Sequence, residues 1–265
     1  MNTQPIEKRN IRENGALEVH SIFGPTFQGE GPFAGTPCVF VRLAGCNLQC
    51  PGCDTEYTSK RALLQPSLIV SQVLEAFGDS GDGRRLVIIS GGEPFRQNLG
   101  PLLEQLIYKN CYVQIETNGS FAPTSEMEFR FGYNQDIAER EGVYVVCSPK
   151  TPTVNSKYFE IACAFKYVMS YDSVDPEDGL PIMVLDNHTP RRVARVKPPF
   201  MGEIYLQPMD HTEQMRQLPT PPEPYLPWPV AVAEENRKSI EVVKASCLKH
   251  GHILCLQVHK IIGVE

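Results

Sequence analysis

Short apolar runs alternate with amphipathic segments from residue 17 to residue 264, and this alternation is the feature that most constrains the fold. Several of the runs are continuously apolar, which is typical of strands that are covered on both faces in a parallel sheet. The segments between them carry apolar side chains about every 3.6 residues, which indicates amphipathic helices. The pattern therefore predicts an α/β fold with a mostly parallel sheet covered by helices. Predicted strands span 18–23, 38–43, 86–90, 112–116, 143–147, 162–167, 204–206 and 253–258, and predicted helices span 67–77, 99–108 and 234–249.

Chain length and composition indicate one folded unit. The 265 residues, of which 42% are hydrophobic and 21% charged, are enough to bury a substantial core, and we expect a single domain over residues 1–265. Residues 1–16 are predicted to be a flexible N-terminal extension. Residues 219–229 contain six prolines, which are incompatible with a helix interior or a central strand, so we expect an extended surface connector there.

Charge and hydropathy argue against two classes of partner. No run approaches the ~20 consecutive apolar residues that a membrane span needs, and the N-terminus lacks the apolar stretch of a secretory signal. The net charge of −6 argues against a protein that wraps nucleic acid through a basic surface. We therefore expect a cytoplasmic protein without a membrane or nucleic-acid partner.

Three of the nine cysteines stand on one short loop directly after the predicted strand 38–43. Cys46, Cys50 and Cys53 can hold three irons of a [4Fe–4S] cluster and leave the fourth iron open for another ligand. A zinc site completed by a distant His or Cys is the alternative that this spacing leaves open. Because many disulfides are not expected in the cytoplasm, we predict that the other six thiols pack in the core, namely Cys38, Cys111, Cys147, Cys163, Cys247 and Cys255.

The cysteine triplet, together with the segment Ser90-Gly91-Gly92-Glu93-Pro94, resembles the radical S-adenosylmethionine (SAM) superfamily. The paired glycines allow a ligand to approach the backbone, at the strand end where α/β sheets bind ligands. Flanking motifs narrow the resemblance to the 7-carboxy-7-deazaguanine synthase family, whose order they follow between residues 18 and 262. These motifs are Phe27-Gln28-Gly29-Glu30-Gly31, Val41-Arg42-Leu43, Cys53-Asp54-Thr55, Ile115-Glu116-Thr117-Asn118-Gly119, Ser148-Pro149-Lys150, Leu206-Gln207-Pro208-Met209-Asp210 and Leu256-Gln257-Val258-His259-Lys260.

The resemblance implies a modified, incomplete (β/α) barrel that holds a [4Fe–4S] cluster, SAM and Mg²⁺. It implies conversion of 6-carboxy-5,6,7,8-tetrahydropterin to 7-carboxy-7-deazaguanine with release of ammonia, in queuosine-type 7-deazapurine biosynthesis. The radical derived from SAM would abstract the hydrogen, so no side chain is assigned as catalytic. The family also implies a homodimer and a flavodoxin- or ferredoxin-type electron donor.

The resemblance also assigns roles to individual residues. Cys46, Cys50 and Cys53 would bind the cluster, and Thr55 would bind Mg²⁺, whose preference for hydroxyl and water ligands suits that side chain. The residues assigned to substrate are Phe27, Gln28, Gly29, Glu30, Arg42, Ser90 and His259. The residues assigned to SAM are Gly91, Gly92, Glu93, Glu116, Thr117, Ser148, Pro149, Lys150, Gln207, Pro208, Met209 and Asp210.

Two positions depart from the family pattern, and two other functions stay open. Val258 occupies a threonine position of the terminal motif, and Phe27 stands where leucine is commoner. Within the superfamily, the alternative is a protein that activates a glycyl-radical enzyme, which would share the cysteine triplet and the Gly-Gly-Glu-Pro segment. The alternative of another class is a zinc-stabilised RNA-binding or regulatory module.

Overall fold

The computed structural model describes residues 4–51, 53, 55–78, 85–124, 142–185, 191–212 and 228–264. These residues form one mixed sheet, five helices and two short 3₁₀ turns, at Gly31–Phe33 and Pro94–Arg96. The strands are β1 (Leu17–Phe27), β2 (Pro37–Leu43), β3 (Ala62–Leu64), β4 (Arg85–Gly91), β5 (Cys111–Thr117), β6 (Val143–Cys147), β7 (Ala162–Met169), β8 (Glu203–Pro208) and β9 (Ile253–Leu254). The helices are α1 (Pro66–Phe77), α2 (Gly100–Tyr108), α3 (Tyr158–Ile161), α4 (Trp228–His250) and α5 (Val258–Ile262).

The nine described strands form a single sheet in the order β3-β1-β2-β4-β5-β6-β7-β8-β9. Strand β1 pairs antiparallel with both β2 and β3, whereas every pair from β2 to β9 is parallel. No pairing joins the two edge strands among the described residues, so the sheet curves without closing. The prediction of an incomplete, mostly parallel α/β barrel is confirmed.

Both faces of the central strands are buried, which explains the continuously apolar runs. In β4, Val87 and Ile89 belong to the larger apolar core, whereas Leu86 and Ile88 belong to a second core on the opposite face. Successive side chains of a strand point to opposite faces, so one strand supplies both cores. The larger core is covered by helices, and the smaller one lies inside the curve of the sheet, beneath the site described below.

Local sequence explains where helix α1 begins and ends and which of its residues pack in the larger core. Pro66 occupies its first turn, where a missing N–H costs little, and Ile69, Val73 and Phe77 form its buried stripe. Gly78 ends the helix with a φ of +56°, a value that glycine adopts without strain, and donates its N–H to the carbonyl of Leu74 at 3.2 Å. The predicted helix 67–77 is thus confirmed.

Several predicted boundaries are wrong, including three near the C-terminus. The strand predicted over 253–258 ends at Leu254, because β9 pairs with β8 over only two residues and Val258 begins helix α5. Helix α4 begins at Trp228 and not at residue 234, so the last two residues of the predicted connector 219–229 are helical. Pro229 is tolerated there because it falls in the first turn. Residues 219–227 lie outside the described residues.

The structure also bears on the remaining expectations for the whole chain. None of the helices that the structure describes is long and apolar enough to cross a membrane. The segment expected to be a flexible N-terminal extension makes specific contacts where it is described, since Asn10 donates its N–H to the carbonyl of Arg96 at 2.8 Å. All six thiols predicted to pack in the core are buried.

Candidate active site

A cavity of about 470 Å³ opens at the carboxyl ends of the parallel strands, inside the curve of the sheet. Its wall is lined by residues that continue the face of the inner apolar core toward the strand ends. Strand β2 supplies Arg42, β4 supplies Ser90, β5 supplies Glu116, β7 supplies Lys166 and β8 supplies Gln207. Because all these strands run parallel, their polar ends meet at one edge of the sheet.

The three cysteines of the triplet line one side of this cavity. Cys46 is buried, whereas Cys50 and Cys53 are partly exposed. The Cys46 Sγ accepts the N–H of Leu48 at 3.4 Å, and burial raises the pKa of its thiol to about 12. Among the residues described, no group of three or more His, Cys, Asp or Glu side chains is arranged to hold a metal ion. The donor set nevertheless fits an iron–sulfur cluster, because three thiols of one loop face the same cavity.

Two glycines allow the strand β4 end to approach the base of the cysteine loop. Gly92 donates its N–H to the carbonyl of Leu43 at 3.2 Å, and Glu93 donates its N–H to the carbonyl of Gly45 at 3.0 Å. A Cβ atom at Gly92 would lie 2.1 Å from the Gly45 carbonyl oxygen, and one at Gly91 would lie 2.1 Å from the Leu43 oxygen. Only glycine permits this approach of backbone to backbone.

Glu93 holds the turn that follows these glycines. Its carboxylate accepts the N–H of Phe95 at 3.0 Å, the hydroxyl of Thr117 at 2.8 Å and the N–H of Asn118 at 2.8 Å. Burial raises the pKa of this carboxyl to about 7, although the three hydrogen bonds oppose the rise. The side chain is completely buried and joins β4 to β5 behind the cavity wall.

A charged and amide network forms the floor of the cavity. Glu30 and Lys166 make an ion pair, with side chains that are only 15% and 8% exposed, and Gln257 donates to Glu30 at 2.7 Å. Burial alone would raise the pKa of Glu30, but the charge and hydrogen bond of Lys166 hold it well below its usual range. Beside this pair, Gln28 donates to Glu116 at 2.9 Å. The floor thus presents an ionised carboxylate and oriented amides to a polar ligand.

An aromatic pair forms the wall beside Arg42. The rings of Phe23 and Phe40 are stacked, with centroids 5.1 Å apart and planes 2° from parallel. The Arg42 guanidinium carbon lies 5.0 Å from the centre of the Phe23 ring. Such stacking restrains the guanidinium plane, which suits it to recognition of a planar or carboxylate-bearing ligand.

The other side of the cavity carries two further polar pairs. Lys150 donates to the hydroxyl of Ser148, and burial together with the charge of Lys166 lowers the pKa of Lys150. Asp210 is paired with Lys260, and although burial opposes it, this pairing holds the pKa of Asp210 below its usual range. Ser148, Lys150 and Asp210 follow strand ends, as the motifs predicted, whereas Lys260 lies on helix α5.

Most of the predicted site residues line this one cavity. Four do not: Gly29 lies against the ring of His259, Glu93 is buried behind the wall, and Pro149 and Pro208 are not among the lining residues. Those that line the cavity are Phe27, Gln28, Glu30, Arg42, Cys46, Cys50, Cys53, Thr55, Ser90, Gly91, Gly92, Glu116, Thr117, Ser148, Lys150, Gln207, Met209, Asp210 and His259.

Sequence reasoning missed several lining residues. Lys166 lies inside an apolar run that predicts only a strand, and Phe23 and Phe40 are residue types that are typical of a core, although all three line the cavity. Phe40 could have been found because it lies two positions before Arg42 on β2 and so shares its face of the sheet. Asn118 lines the cavity and donates to Asn47 of the cysteine loop at 3.0 Å.

Comparison with known proteins identifies the family. Residues 27–121, which contain the cysteine loop and the paired glycines, match a family described as a 4Fe-4S single cluster domain. A 7-carboxy-7-deazaguanine synthase of Rhodospirillum rubrum is 37% identical over 255 residues, which cover 94% of this chain and 93% of that protein. The chain belongs to the 7-carboxy-7-deazaguanine synthase family. The synthase of Rickettsia prowazekii is 30% identical over 260 residues, 94% of this chain and 89% of its own length.

The fold agrees with this membership. The crystal structure of QueE from Escherichia coli superposes with a TM-score of 0.58 at 22% identity, covering 92% of this chain and 95% of that one. Members of the 7-carboxy-7-deazaguanine synthase family are radical SAM enzymes, so family membership supports a [4Fe–4S] cluster and SAM as the cofactors of this chain. Family membership favours the enzyme over the zinc-stabilised module and over the activator of a glycyl-radical enzyme.

Proposed function

We propose that the protein converts 6-carboxy-5,6,7,8-tetrahydropterin to 7-carboxy-7-deazaguanine and ammonia, as a radical SAM enzyme of queuosine-type 7-deazapurine biosynthesis. The observation that carries this proposal is that one cavity contains both the three thiols of the cysteine loop and the guanidinium of Arg42. A cluster site and a site for a small acid would therefore adjoin, as a reaction between SAM and a pterin acid requires.

The cysteine side of the cavity would hold the cofactors. Cys46, Cys50 and Cys53 would bind the cluster, and when bound, the cluster and SAM supply the electron and the radical that begin the reaction. Glycine backbone and polar strand ends near the loop would hold SAM and orient it toward the substrate. These residues are Gly91, Gly92, Glu116, Thr117, Ser148, Lys150, Gln207, Met209 and Asp210, with Glu93, Pro149 and Pro208 shaping the wall from behind.

The opposite side would bind the pterin acid. Arg42 would take the substrate carboxylate in a two-point contact, since its guanidinium presents a planar pair of donors. Glu30 would accept from the amino-pyrimidine nitrogens of the substrate, because Lys166 keeps its carboxylate ionised. Phe27, Gln28, Gly29, Ser90 and His259 would complete this subsite. The stacked rings of Phe23 and Phe40 would shield it from water.

Thr55 would supply a hydroxyl ligand to Mg²⁺ at the edge of the cysteine loop. Its side chain lines the same cavity as Arg42, so Mg²⁺ held there would supply positive charge beside the site proposed for the substrate carboxylate. The ion would hold the substrate and its intermediates, without a role in starting the radical reaction.

Thr55→Ala is therefore expected to lower turnover and abolish its dependence on Mg²⁺, while iron and sulfide per chain stay unchanged. Titration of Mg²⁺ into metal-stripped, cluster-loaded enzyme measures this dependence. Thr58→Ala, a change of the same side chain three residues on, is the control. Equal turnover of the parent protein with and without Mg²⁺ would overturn the assignment.

We further propose that the protein is a cytoplasmic homodimer reduced by a flavodoxin- or ferredoxin-type donor. Sedimentation of the anaerobic holoprotein measures the oligomeric state. The electron donor is tested by mixing the protein with each purified donor and monitoring reduction of the cluster through its absorbance.

The decisive experiment tests cofactor and product separately. Protein purified without oxygen should be brown and contain iron and sulfide, and a colourless zinc protein would reject the enzyme. Incubation with SAM, dithionite, Mg²⁺ and the pterin acid should give 7-carboxy-7-deazaguanine by mass. Formation of 5′-deoxyadenosine without that product would keep the radical SAM class and overturn the substrate.

A further inference from the structure

The N-terminal residues 4–10, which we name the strap, lie along the cysteine loop. Ile6 forms a parallel bridge with Cys46, and Glu7 donates its N–H to the Cys46 carbonyl at 2.7 Å. The strap therefore adds a short stretch of strand-like pairing to the first cysteine of the triplet. This contact cannot be read from the spacing of the cysteines, because about forty residues separate the two segments in the chain.

Gln4 forms hydrogen bonds to both sides of the loop that carries the other two cysteines. Its carbonyl accepts from Gln49 Nε2 at 2.8 Å, directly before Cys50. Its side-chain Nε2 donates to the Thr55 carbonyl at 3.1 Å, and its Oε1 accepts the Tyr57 N–H at 3.0 Å. One residue thus spans the loop from a position before Cys50 to positions after Cys53.

The strap is itself anchored on a buried arginine. Arg96 follows the Gly91-Gly92-Glu93-Pro94 segment, is 2% exposed, and donates to the Lys8 carbonyl at 3.2 Å and to the Ala44 carbonyl at 3.1 Å. Asn10 returns a hydrogen bond to the Arg96 carbonyl at 2.8 Å. The same side chain therefore joins the strap, the start of the cysteine loop and the glycine turn.

We propose that the strap positions the cluster ligands, and that Gln4 is a positioning residue that sets the separation of Cys50 and Cys53. This inference rests on the assignment of Cys46, Cys50 and Cys53 as ligands made above. Hydrogen-bonded partners behind metal ligands fix ligand orientation, and their loss typically costs about 10- to 100-fold in metal affinity. Without the hydrogen bonds of Gln4, the free loop is more mobile, so ordering its thiols around a cluster costs more conformational entropy.

The test compares Gln4→Ala and Gln49→Ala, which remove different hydrogen bonds between the strap and the cysteine loop, with Gln72→Ala as control. Gln72 lies on α1 and outside the cavity wall, so the control makes the same chemical change elsewhere. Each reconstituted holoprotein is mixed with an iron chelator without oxygen, and loss of cluster absorbance is followed. The electron paramagnetic resonance spectrum of the reduced cluster is recorded with and without SAM, and thermal unfolding of each apoprotein is measured.

Gln4→Ala should lose its cluster on the order of tenfold faster than the parent and should change the spectrum. Gln49→Ala should act in the same direction by a smaller factor, whereas Gln72→Ala should match the parent. All four apoproteins should still unfold in one cooperative transition, which shows that faster cluster loss does not come from misfolding. Cluster loss and spectra that match the parent in both Gln4→Ala and Gln49→Ala would overturn the proposal, as would equal acceleration in Gln72→Ala. A parent protein that binds no cluster would instead overturn the ligand assignment.

Discussion

Individual side chains of the cavity are held by partners that fix their charge and their direction. Arg42 lies against the Phe23 ring, Lys166 neutralises Glu30, and Glu93 accepts three hydrogen bonds behind the wall. Such partners restrict the side chains before any ligand arrives, which lowers the entropy that binding must overcome. The most specific predictions for single residues therefore concern the charged side chains.

Arg42→Lys should raise the KM for the pterin acid by about tenfold or more, with a smaller change in kcat and an unchanged iron content. A lysine keeps the charge but loses the two parallel donors and the flat contact with Phe23. Steady-state kinetics with saturating SAM measure the change. Arg85→Lys is the matched control and should leave the KM unaltered, because Arg85 begins the neighbouring strand β4 and does not line the cavity. An unchanged KM in Arg42→Lys would remove Arg42 from carboxylate recognition.

Lys166→Met should destabilise the apoprotein by about 3–5 kcal/mol, because it leaves the Glu30 carboxylate buried without its counter-charge. The double variant Glu30→Gln, Lys166→Met should recover part of that loss. Urea unfolding of the parent, both single variants and the double variant gives the coupling between the two side chains. Additive losses would show that the ion pair contributes nothing of its own.

The same pair gives a pH dependence with a defined sign. The pKa of Glu30 is lowered in the folded protein from its ordinary value of 4.5, so its contribution is complete above that value. It is lost as the pH falls from about 4.5 toward the lowered pKa, because the folded state must then accept a proton. The unfolding free energy of Glu30→Gln should therefore fall less steeply with acid than that of the parent. Parallel acid profiles for the two proteins would contradict this assignment.

At the scale of elements, the site depends on contacts between segments far apart in the chain. The loop after β1 meets the junction of β9 and α5, where Val258 donates its N–H to the Gly29 carbonyl at 2.9 Å. The valine at the expected threonine position makes this contact through its backbone, which any residue except proline could do. Helix α5 thereby places His259 at the cavity.

Gly29→Ala should displace the His259 ring and weaken substrate binding without loss of the cluster. A Cβ atom at residue 29 would lie 1.7 Å from His259 Nδ1, so the ring must move, whereas the backbone need not. The KM for the pterin acid should rise several-fold, by about 1 kcal/mol of lost binding. Gly29→Ala combined with His259→Ala should be no worse than His259→Ala alone, and an additive effect would show that the two residues act separately.

At the scale of the whole molecule, the nine cysteines divide by position in the fold. Six are buried in the sheet and helix cores, Cys46 is buried at the base of its loop, and Cys50 and Cys53 are partly exposed at the cavity. Burial raises the pKa of the core thiols, that of Cys38 to about 12 and that of Cys255 to about 11. The six core thiols are therefore expected to react slowly, because burial both shields them from reagents and disfavours their thiolate form.

Iodoacetamide should label Cys50 and Cys53 of the native apoprotein first, and all nine thiols only after unfolding. Mass spectrometry of digests taken over time identifies each labelled cysteine. Reconstitution with iron and sulfide should protect Cys46, Cys50 and Cys53 and leave the other six unchanged. Rapid native labelling of Cys163 or Cys147 would contradict the buried positions that the fold gives them.

Much of the fold could be predicted because its cause is local. Seven of the eight predicted strands are present with boundaries shifted by a few residues, since a strand covered on both faces must be apolar along its length. Strand β3 was not predicted, because its three residues lie at the sheet edge and leave Leu63 54% exposed. The eighth, at 253–258, failed where Val258 contacts Gly29, a tertiary contact that overrides its local preference for strand.

The sequence by itself determined which chemical groups the protein can use, since the spacing of Cys46, Cys50 and Cys53 holds three thiols on one loop wherever that loop lies. Only the tertiary structure decided which groups meet. Glu30 and Lys166 are 136 residues apart, Gln28 and Glu116 are 88 apart, and Gln4 reaches Thr55 across 51. Spacing along the chain restricts only near neighbours, whereas the order of strands in the sheet sets which distant residues share an edge.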